Sequence, residues 1–244
     1  MINHFFWRSN DERIMTKTGT YEEYTRSALD RYARQDAAEK NLLVAALKNL
    51  KPRMILDLGC GAGQEILPFV TETDAFCVGL DRAAELGMVV KNVFKDAKSK
   101  KRTAFVRSTG EKIPFADTSF DAVLCRIALP YMHNRQTLAE VARVLKPGGV
   151  FLLKTHAPAF YFELLKSRLK TFSPKQIAYP LICLAGSGWH SLTGRQLTEG
   201  FWAGKEVFQT TAFVKSECAK HNLRVAGELA DTNVQTPSFV IVKN

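Results

Sequence analysis

The segment Arg53-Met-Ile-Leu-Asp-Leu-Gly-Cys-Gly-Ala-Gly63 constrains the fold more than any other part of this chain. Its first half is a short apolar run that predicts a strand, and its second half spaces glycines at 59, 61 and 63. Glycines let the backbone turn sharply and approach a ligand closely, with the amides of the following helix start facing it. A nucleotide-like ligand is the natural occupant of such a turn. The dinucleotide fingerprint G-x-G-x-x-G needs a glycine at 64, where this chain has Gln64. The pattern is instead G-x-G-x-G, led by Asp57. Asp81 ends the next apolar run, eighteen residues past Gly63. An acceptor pair at the carboxyl edge of a sheet can there take both hydroxyls of a ribose.

The rest of the chain continues the rhythm of strand, turn and helix. Tyr21 to Leu50 has helical periodicity, with Leu42, Leu43, Ala46, Leu47 and Leu50 on one stripe, and it stops before Pro52. The twenty residues before it read as a loose tail. A helix is predicted from Gln64 to about Thr71, a strand over 75–80, a helix over 82–98 and a strand over 104–107. A fourth strand is predicted over 120–125, a helix over 135–145 closed by Lys146-Pro147-Gly148-Gly149, and a fifth strand over 150–154. Strands alternating with helices imply a parallel sheet covered on both faces. Between His156 and Glu206 the rhythm breaks into a stretch rich in aromatics, prolines and glycines, read as an insertion. A helix over 210–221 and strands over 223–229 and 238–242 complete the pattern.

Four of these segments together resemble the class I S-adenosylmethionine-dependent methyltransferases, especially the group that includes the ubiquinone and menaquinone C-methyltransferases. They are Ile55 to Gly63, Val78-Gly-Leu-Asp81, Gly110-Glu-Lys-Ile-Pro-Phe-Ala-Asp-Thr-Ser-Phe-Asp-Ala-Val123 and Arg143-Val-Leu-Lys-Pro-Gly-Gly149. The resemblance implies an α/β, Rossmann-like, doubly wound and mostly parallel seven-stranded sheet with the last strand antiparallel. It implies S-adenosylmethionine as cofactor, with Asp57, Gly59, Gly61 and Gly63 holding its methionine part and Asp81 its ribose. Thr109 and Gly110 fall where the adenine is contacted, although the family often has an aspartate at the position of Thr109. Arg126, Ile127 and Ala128 follow the fourth strand, where the family lines the methyl donor and the acceptor pocket. Residues 1–50 are then a tail and a helical lid, with Tyr21, Tyr24 and Tyr32 as candidate aromatic contacts. Residues 51–155 and 206–244 are the cofactor-binding core, and 156–205 a helical insertion and candidate substrate cap.

Methyl transfer from a sulfonium is an in-line displacement, so the protein must mainly place the nucleophile and exclude water. A base is needed only where the nucleophile must lose a proton, and His133, His156 and His190 are candidates because imidazole titrates near neutrality. His133 and His156 follow the fourth and fifth strands, near the carboxyl edge. Tyr131 and Tyr161 are candidate substrate contacts. The aromatics of the insertion, Phe160, Tyr161, Phe162, Phe172, Tyr179, Trp189, Phe201 and Trp202, suit a hydrophobic or planar acceptor.

Composition narrows the remaining classes. The five cysteines are widely spaced, with no C-x-x-C pair and no Cys/His cluster at zinc spacing, and read as thiols in a reducing cytoplasm. The early charges argue against a secretory signal and the longest apolar run is about half a bilayer span, so a soluble protein is expected. The formal net charge is +10. Residues 91–107 carry a net +6 and residues 154–175 a net +4, which together make up the whole excess. The first segment includes a helix-to-strand loop, Ser99 to Arg102, expected at the amino edge of a doubly wound sheet, opposite the cofactor; only the second lies in the cap, where it suits an acidic acceptor or an anionic membrane surface. A small-molecule acceptor is therefore the leading expectation. Methylation of RNA or DNA rests on charge alone, since neither the Asn/Asp-Pro-Pro-aromatic signature nor a Pro-Cys nucleophile motif occurs. A catalytically silent cofactor-binding protein is the third reading.

Overall fold

A computed structural model describes residues 21–83, 93–94, 99, 101–171 and 173–244, apart from the side chains of Tyr21, Glu22 and Tyr24. The expected tail and most of the helix expected over 82–98 lie outside the described residues. In chain order the elements are α1 (Tyr21–Arg34), α2 (Ala37–Ala46), β1 (Met54–Leu58), α3 (Leu67–Glu72), β2 (Phe76–Asp81), β3 (Thr103–Arg107) and β4 (Phe120–Arg126). They continue with α4 (Asn134–Val144), β5 (Leu145–Lys154), α5 (Pro158–Leu169), α6 (Pro174–Thr193), α7 (Thr211–Ala219), β6 (Leu223–Glu228) and β7 (Ser238–Lys243).

The strands form one seven-stranded sheet in the order β3-β2-β1-β4-β5-β7-β6. β7 runs antiparallel to both β5 and β6, and the other pairings are parallel. Alternate residues of each strand feed two cores, as a sheet covered on both faces requires. Leu56, Leu58, Val123 and Cys125 pack with Leu138 and Val141 of α4 and Val214 and Cys218 of α7. Ile55, Ala122 and Leu124 pack on the other face with Leu43 of α2 and Phe69 and Val70 of α3. Fully burying each such side chain stabilises by about 1.5–3 kcal/mol. All five cysteines are buried free thiols.

Two local expectations are corrected. The single helix expected over 21–50 is two helices, because Asp36 builds a capping box: its carboxylate accepts from the Glu39 amide at 2.8 Å while its own amide donates to Glu39 at 3.2 Å. Lys146-Pro147-Gly148-Gly149, expected to lie outside the strand, is part of β5. It forms a bulge there, since Phe120 pairs with Leu145 and the next pair is Ala122 with Val150. Asp121 anchors this amino edge, accepting from Lys146 at 2.7 Å and from the amides of Arg53 and Met54 at 2.9 and 2.8 Å. The same edge holds Arg102, whose guanidinium donates to the Val70 and Thr73 carbonyls at the end of α3 and pairs with Asp74 at 3.4 Å. That part of the basic charge thus lies opposite the glycine turn.

Candidate active site

The turn after β1 is held by β2. The amides of Gly59 and Cys60 both donate to the Leu80 carbonyl, at 2.8 and 3.1 Å, and the Gly61 amide donates to Asp81 Oδ2 at 3.0 Å. Gly59, Gly61 and Gly63 all have left-handed backbones, with φ of 74°, 49° and 74°. Only glycine adopts these without strain. Space is restrictive as well: a Cβ on Gly59 would stand 2.3 Å from that of Ala128, and one on Gly63 would stand 2.8 Å from the Phe94 ring. The motif is therefore a close-packed turn between the ends of β1, β2 and β4.

Its electrostatics oppose the charge of the chain as a whole. Asp57 is 1 % exposed and its Oδ2 has no hydrogen-bond partner. Burial first, then the carboxylates of Glu65 and Asp81, push its carboxyl well above the usual range, against a weaker pull from Arg126. Glu65 is raised too, again chiefly by burial. Two cations of this edge are engaged by Asp231 instead. Arg126, the last residue of β4, donates to Asp231 and, at 2.7 Å, to Ser238 Oγ, and Lys154 at the end of β5 reaches Asp231 at 2.7 Å. Burial opposes Asp231 ionisation, yet Arg126 and Lys154 hold it below its ordinary value. A chain of net charge +10 thus presents, at its glycine turn, the carboxylates of Asp57, Glu65 and Asp81 without an ion pair among the described residues.

The neighbouring candidates line the same edge. Gly110 is buried so tightly that a Cβ would stand 2.6 Å from Met132 Sδ, whereas Thr109 is exposed and its carbonyl accepts from the Lys112 amide at 3.2 Å. Ile127, directly after Arg126, has a φ of 61°, a strained conformation for a β-branched residue, held by its amide donating to the Lys154 carbonyl at 2.8 Å. Such strain persists only where the surroundings over-determine it.

The three histidines have different roles. His133 caps α4, its Nδ1 accepting from the Gln136 amide at 3.5 Å, and its own amide donates to Glu111 at 2.6 Å. With Tyr131, Arg82 and Lys205 it lines a recess of about 160 Å³ between the core and the insertion. His190 lies in the packing of α6, edge-on to Phe213, with its pKa lowered chiefly by burial and by Arg135. His156 is 2 % exposed, stacks on Phe160 at 3.8 Å, and places Nδ1 2.8 Å from Glu206 Oε2. The hydroxyls of Tyr161 and Tyr179 donate to the same carboxylate at 2.9 and 2.6 Å. Burial favours the neutral acid, but His156 and these hydroxyls outweigh it and hold Glu206 below the usual range.

This cluster sits at the carboxyl edge because two backbone bonds stitch the end of the insertion to the sheet. Val207 donates to the Pro130 carbonyl at 2.9 Å and Gln209 to the His156 carbonyl at 3.0 Å. Glu206, Glu65 and Asp231 were not legible as site residues, since their partners lie far away in sequence or arrive only through the sheet order. Of the three candidate lid tyrosines, Tyr32 is near Glu65: its hydroxyl is raised by burial and by the carboxylates of Glu65 and Glu72. The side chains of Tyr21 and Tyr24 are outside the described residues.

Residues 56–153 match the family model described as a methyltransferase domain. The chain is 34% identical over 125 residues to an uncharacterized methyltransferase, YcgJ, of Bacillus subtilis, a match covering 50% of this chain and 47% of that protein. It is 33% identical over 159 residues to the phthiotriol/phenolphthiotriol dimycocerosates methyltransferase of Mycobacterium tuberculosis, covering 62% and 56%. The chain thus spans about half the length of these curated relatives. Among solved structures, a 1,6-didemethyltoxoflavin-N1-methyltransferase of Burkholderia thailandensis, with bound S-adenosylhomocysteine, shares the fold. Its TM-score is 0.56 at 13% identity, over 92% of this chain and 85% of that one. The sheet order, the glycine turn and the family match converge on one likeness: residues 56–153 are similar to a methyltransferase domain, set in the seven-stranded sheet described above.

Proposed function

We propose that this chain transfers a methyl group from S-adenosylmethionine to a small-molecule acceptor held between the loop after β4 and the insertion. The observation that carries the cofactor half is the buried Asp57 carboxyl, unpartnered at Oδ2, beneath three left-handed glycines. S-adenosylmethionine is cationic at both its ammonium and its sulfonium, which suits an edge where Asp57, Glu65 and Asp81 form no ion pair among the described residues. Asp57 and the turn of Gly59, Gly61 and Gly63 would hold the methionine end. Asp81 would take the ribose, because each oxygen accepts one protein amide, from Gly61 or Ala83, at 3.0 Å and keeps a lone pair. Thr109 and Gly110 would flank the adenine, with Gly110 letting Met132 and Thr137 pack closely behind that loop.

When bound, the cofactor supplies an electrophilic methyl group. The residues of the chain position the acceptor and, where it must lose a proton, accept that proton. Of His133, His156 and Tyr131, His133 and Tyr131 line the recess and are placed to meet an acceptor, whereas His156, 2 % exposed, acts as a positioning residue through Glu206. Arg126 acts as a positioning residue, its pair with Asp231 fixing the end of β4 that leads into Ile127 and Ala128. Tyr32 on α1, beside Glu65, supports a lid over the cofactor, and residues 156–205 act as the acceptor cap.

The aromatic insertion favours a hydrophobic or planar acceptor, the class that also contains the quinone precursors of the ubiquinone and menaquinone C-methyltransferase group. The lipid substrate named for the mycobacterial relative points the same way. Placement of the Arg102 segment at the amino edge counts against nucleic acid. A radiolabelled-methyl screen across metabolite, lipid, protein and RNA fractions tests the proposal. Label in the metabolite or lipid fraction supports it, and label confined to RNA or protein overturns it.

A further inference from the structure

The outward face of α6 is apolar along its length. The helix has twenty residues and a single Lys, Arg, Asp or Glu, Lys175 at its start. Its buried side carries Cys183, Gly186, Ser187 and His190. Taken at 100° per residue, the opposite side presents Leu181, Ala185, Gly188, Trp189 and Leu192. Leu181 and Trp189 are each 48% exposed and Leu192 is 88% exposed, while a Cβ on Gly188 would meet nothing within 4 Å. A helix on the surface of a globular protein normally turns charged residues outward, and here none stands on that stripe. Phe201, 65% exposed, lies beside it, packed edge-on to Trp202, which itself lies over Gly186.

The charges around this face determine what it fits. Lys170 and Lys175 flank its amino end, Lys205 stands over the ring of Tyr179 in its amino half, and Arg195 follows its carboxyl end, against Glu199. Pairing with a second copy, parallel or antiparallel, brings no surplus of carboxylates to balance these cations. An anionic surface would balance them. Among the described residues, no helix is long and apolar enough to cross a membrane. Apolar side chains with a tryptophan, bordered by lysine and arginine, are instead the arrangement of a helix lying in the plane of the headgroups.

We infer that α6 docks the protein onto an anionic lipid surface, inserting Leu181, Trp189 and Leu192 while Lys170, Lys175 and Arg195 contact the headgroups. This inference is independent of methyl transfer, because it rests on an outer face and is read by binding alone. Co-sedimentation of the full chain with vesicles tests it, using phosphatidylcholine alone and an equimolar mixture with phosphatidylglycerol. The wild type should sediment with the mixed vesicles and stay in solution with phosphatidylcholine. The double variant Leu181→Glu with Leu192→Glu should bind the mixed vesicles at least about tenfold more weakly, as expected when apolar insertion is lost. An unchanged circular dichroism spectrum and thermal transition would show that the variant is folded, and Leu192→Glu alone, at the most exposed position, serves if the double variant is not. Wild type remaining in solution with mixed vesicles, or folded variant and wild type sedimenting alike, would overturn the inference. A dimer of the wild type that these substitutions abolish, without vesicle binding, would assign the face to a second copy and overturn it equally.

Discussion

Glu206 Oε2 lies 2.8 Å from His156 Nδ1, joining the last buried residue of the insertion to the loop directly after β5. Fifty residues separate the pair in sequence, and Tyr161 and Tyr179 complete the carboxylate's shell from α5 and α6. One carboxylate therefore ties the insertion to the carboxyl edge of the sheet.

Glu206→Ala would remove the acceptor shared by His156, Tyr161 and Tyr179, so it should destabilise the fold by about 1–3 kcal/mol in urea unfolding. Because its folded pKa is lowered, the stabilisation from Glu206 is fully present above the ordinary glutamate range and is lost as pH falls through the folded value. Glu206→Gln should remove that acid-limb dependence while keeping part of the packing. An unchanged acid limb in Glu206→Gln would contradict the assignment.

Asp57 carries the opposite sign. Its folded pKa is raised, so its ionisation costs stability increasingly as pH rises from the ordinary aspartate range to the folded value, and the cost is constant above that. Asp57→Asn should therefore be more stable than wild type at neutral pH, by about 0.5–2 kcal/mol, with the gap closing in acid, and should bind S-adenosylmethionine more weakly. Thermal unfolding and calorimetry across pH read the two effects separately. A variant that is less stable and binds as well as wild type would contradict both.

Gly59→Ala combines a left-handed backbone with a Cβ 2.3 Å from that of Ala128. It should cost about 1–3 kcal/mol, as overpacking does. Ala128→Gly in the same chain should recover part of that loss, leaving a remainder due to backbone strain. A double-mutant cycle measures the coupling; strict additivity would mean that the two residues do not meet.

Asp231→Ala leaves Arg126 and Lys154 without their shared carboxylate. A loss of about 3–5 kcal/mol is expected for removing one partner from a largely buried ion pair. Because Arg126 leads into the strained Ile127, methyl transfer should fall more than cofactor affinity does. Equal stability in variant and wild type would relegate the cluster to a surface feature.

The core of the fold was legible because its signals are local. Ile55 to Gly63 announces a strand and its turn, and the apolar runs around Cys77, Val123 and Leu152 announce buried parallel strands. Arg102 could be placed opposite the cofactor once the strands were counted. The break between α1 and α2 was also written locally, as Asp36 with Glu39, but the apolar stripe that follows obscures it. The bulge at Lys146 to Gly149 was not legible, because a Pro-Gly-Gly run reads as a stop wherever it occurs and only pairing with Phe120 draws it into β5. His156 was legible as a histidine after a strand. Glu206 was not, because the carboxylate matters only after α5 and α6 fold back and present it. Arg126 was placed at the right edge, yet its partner Asp231 comes from the β6–β7 connection, which only the sheet order brings near.

Calorimetric titration with S-adenosylmethionine tests the central claim, that the glycine turn and Asp81 form a cofactor cradle. Wild type should bind, and both Gly61→Val and Asp81→Ala should lose at least about tenfold in affinity, the equivalent of about 1.4 kcal/mol. No binding by the wild type, or undiminished binding in both variants, would contradict it.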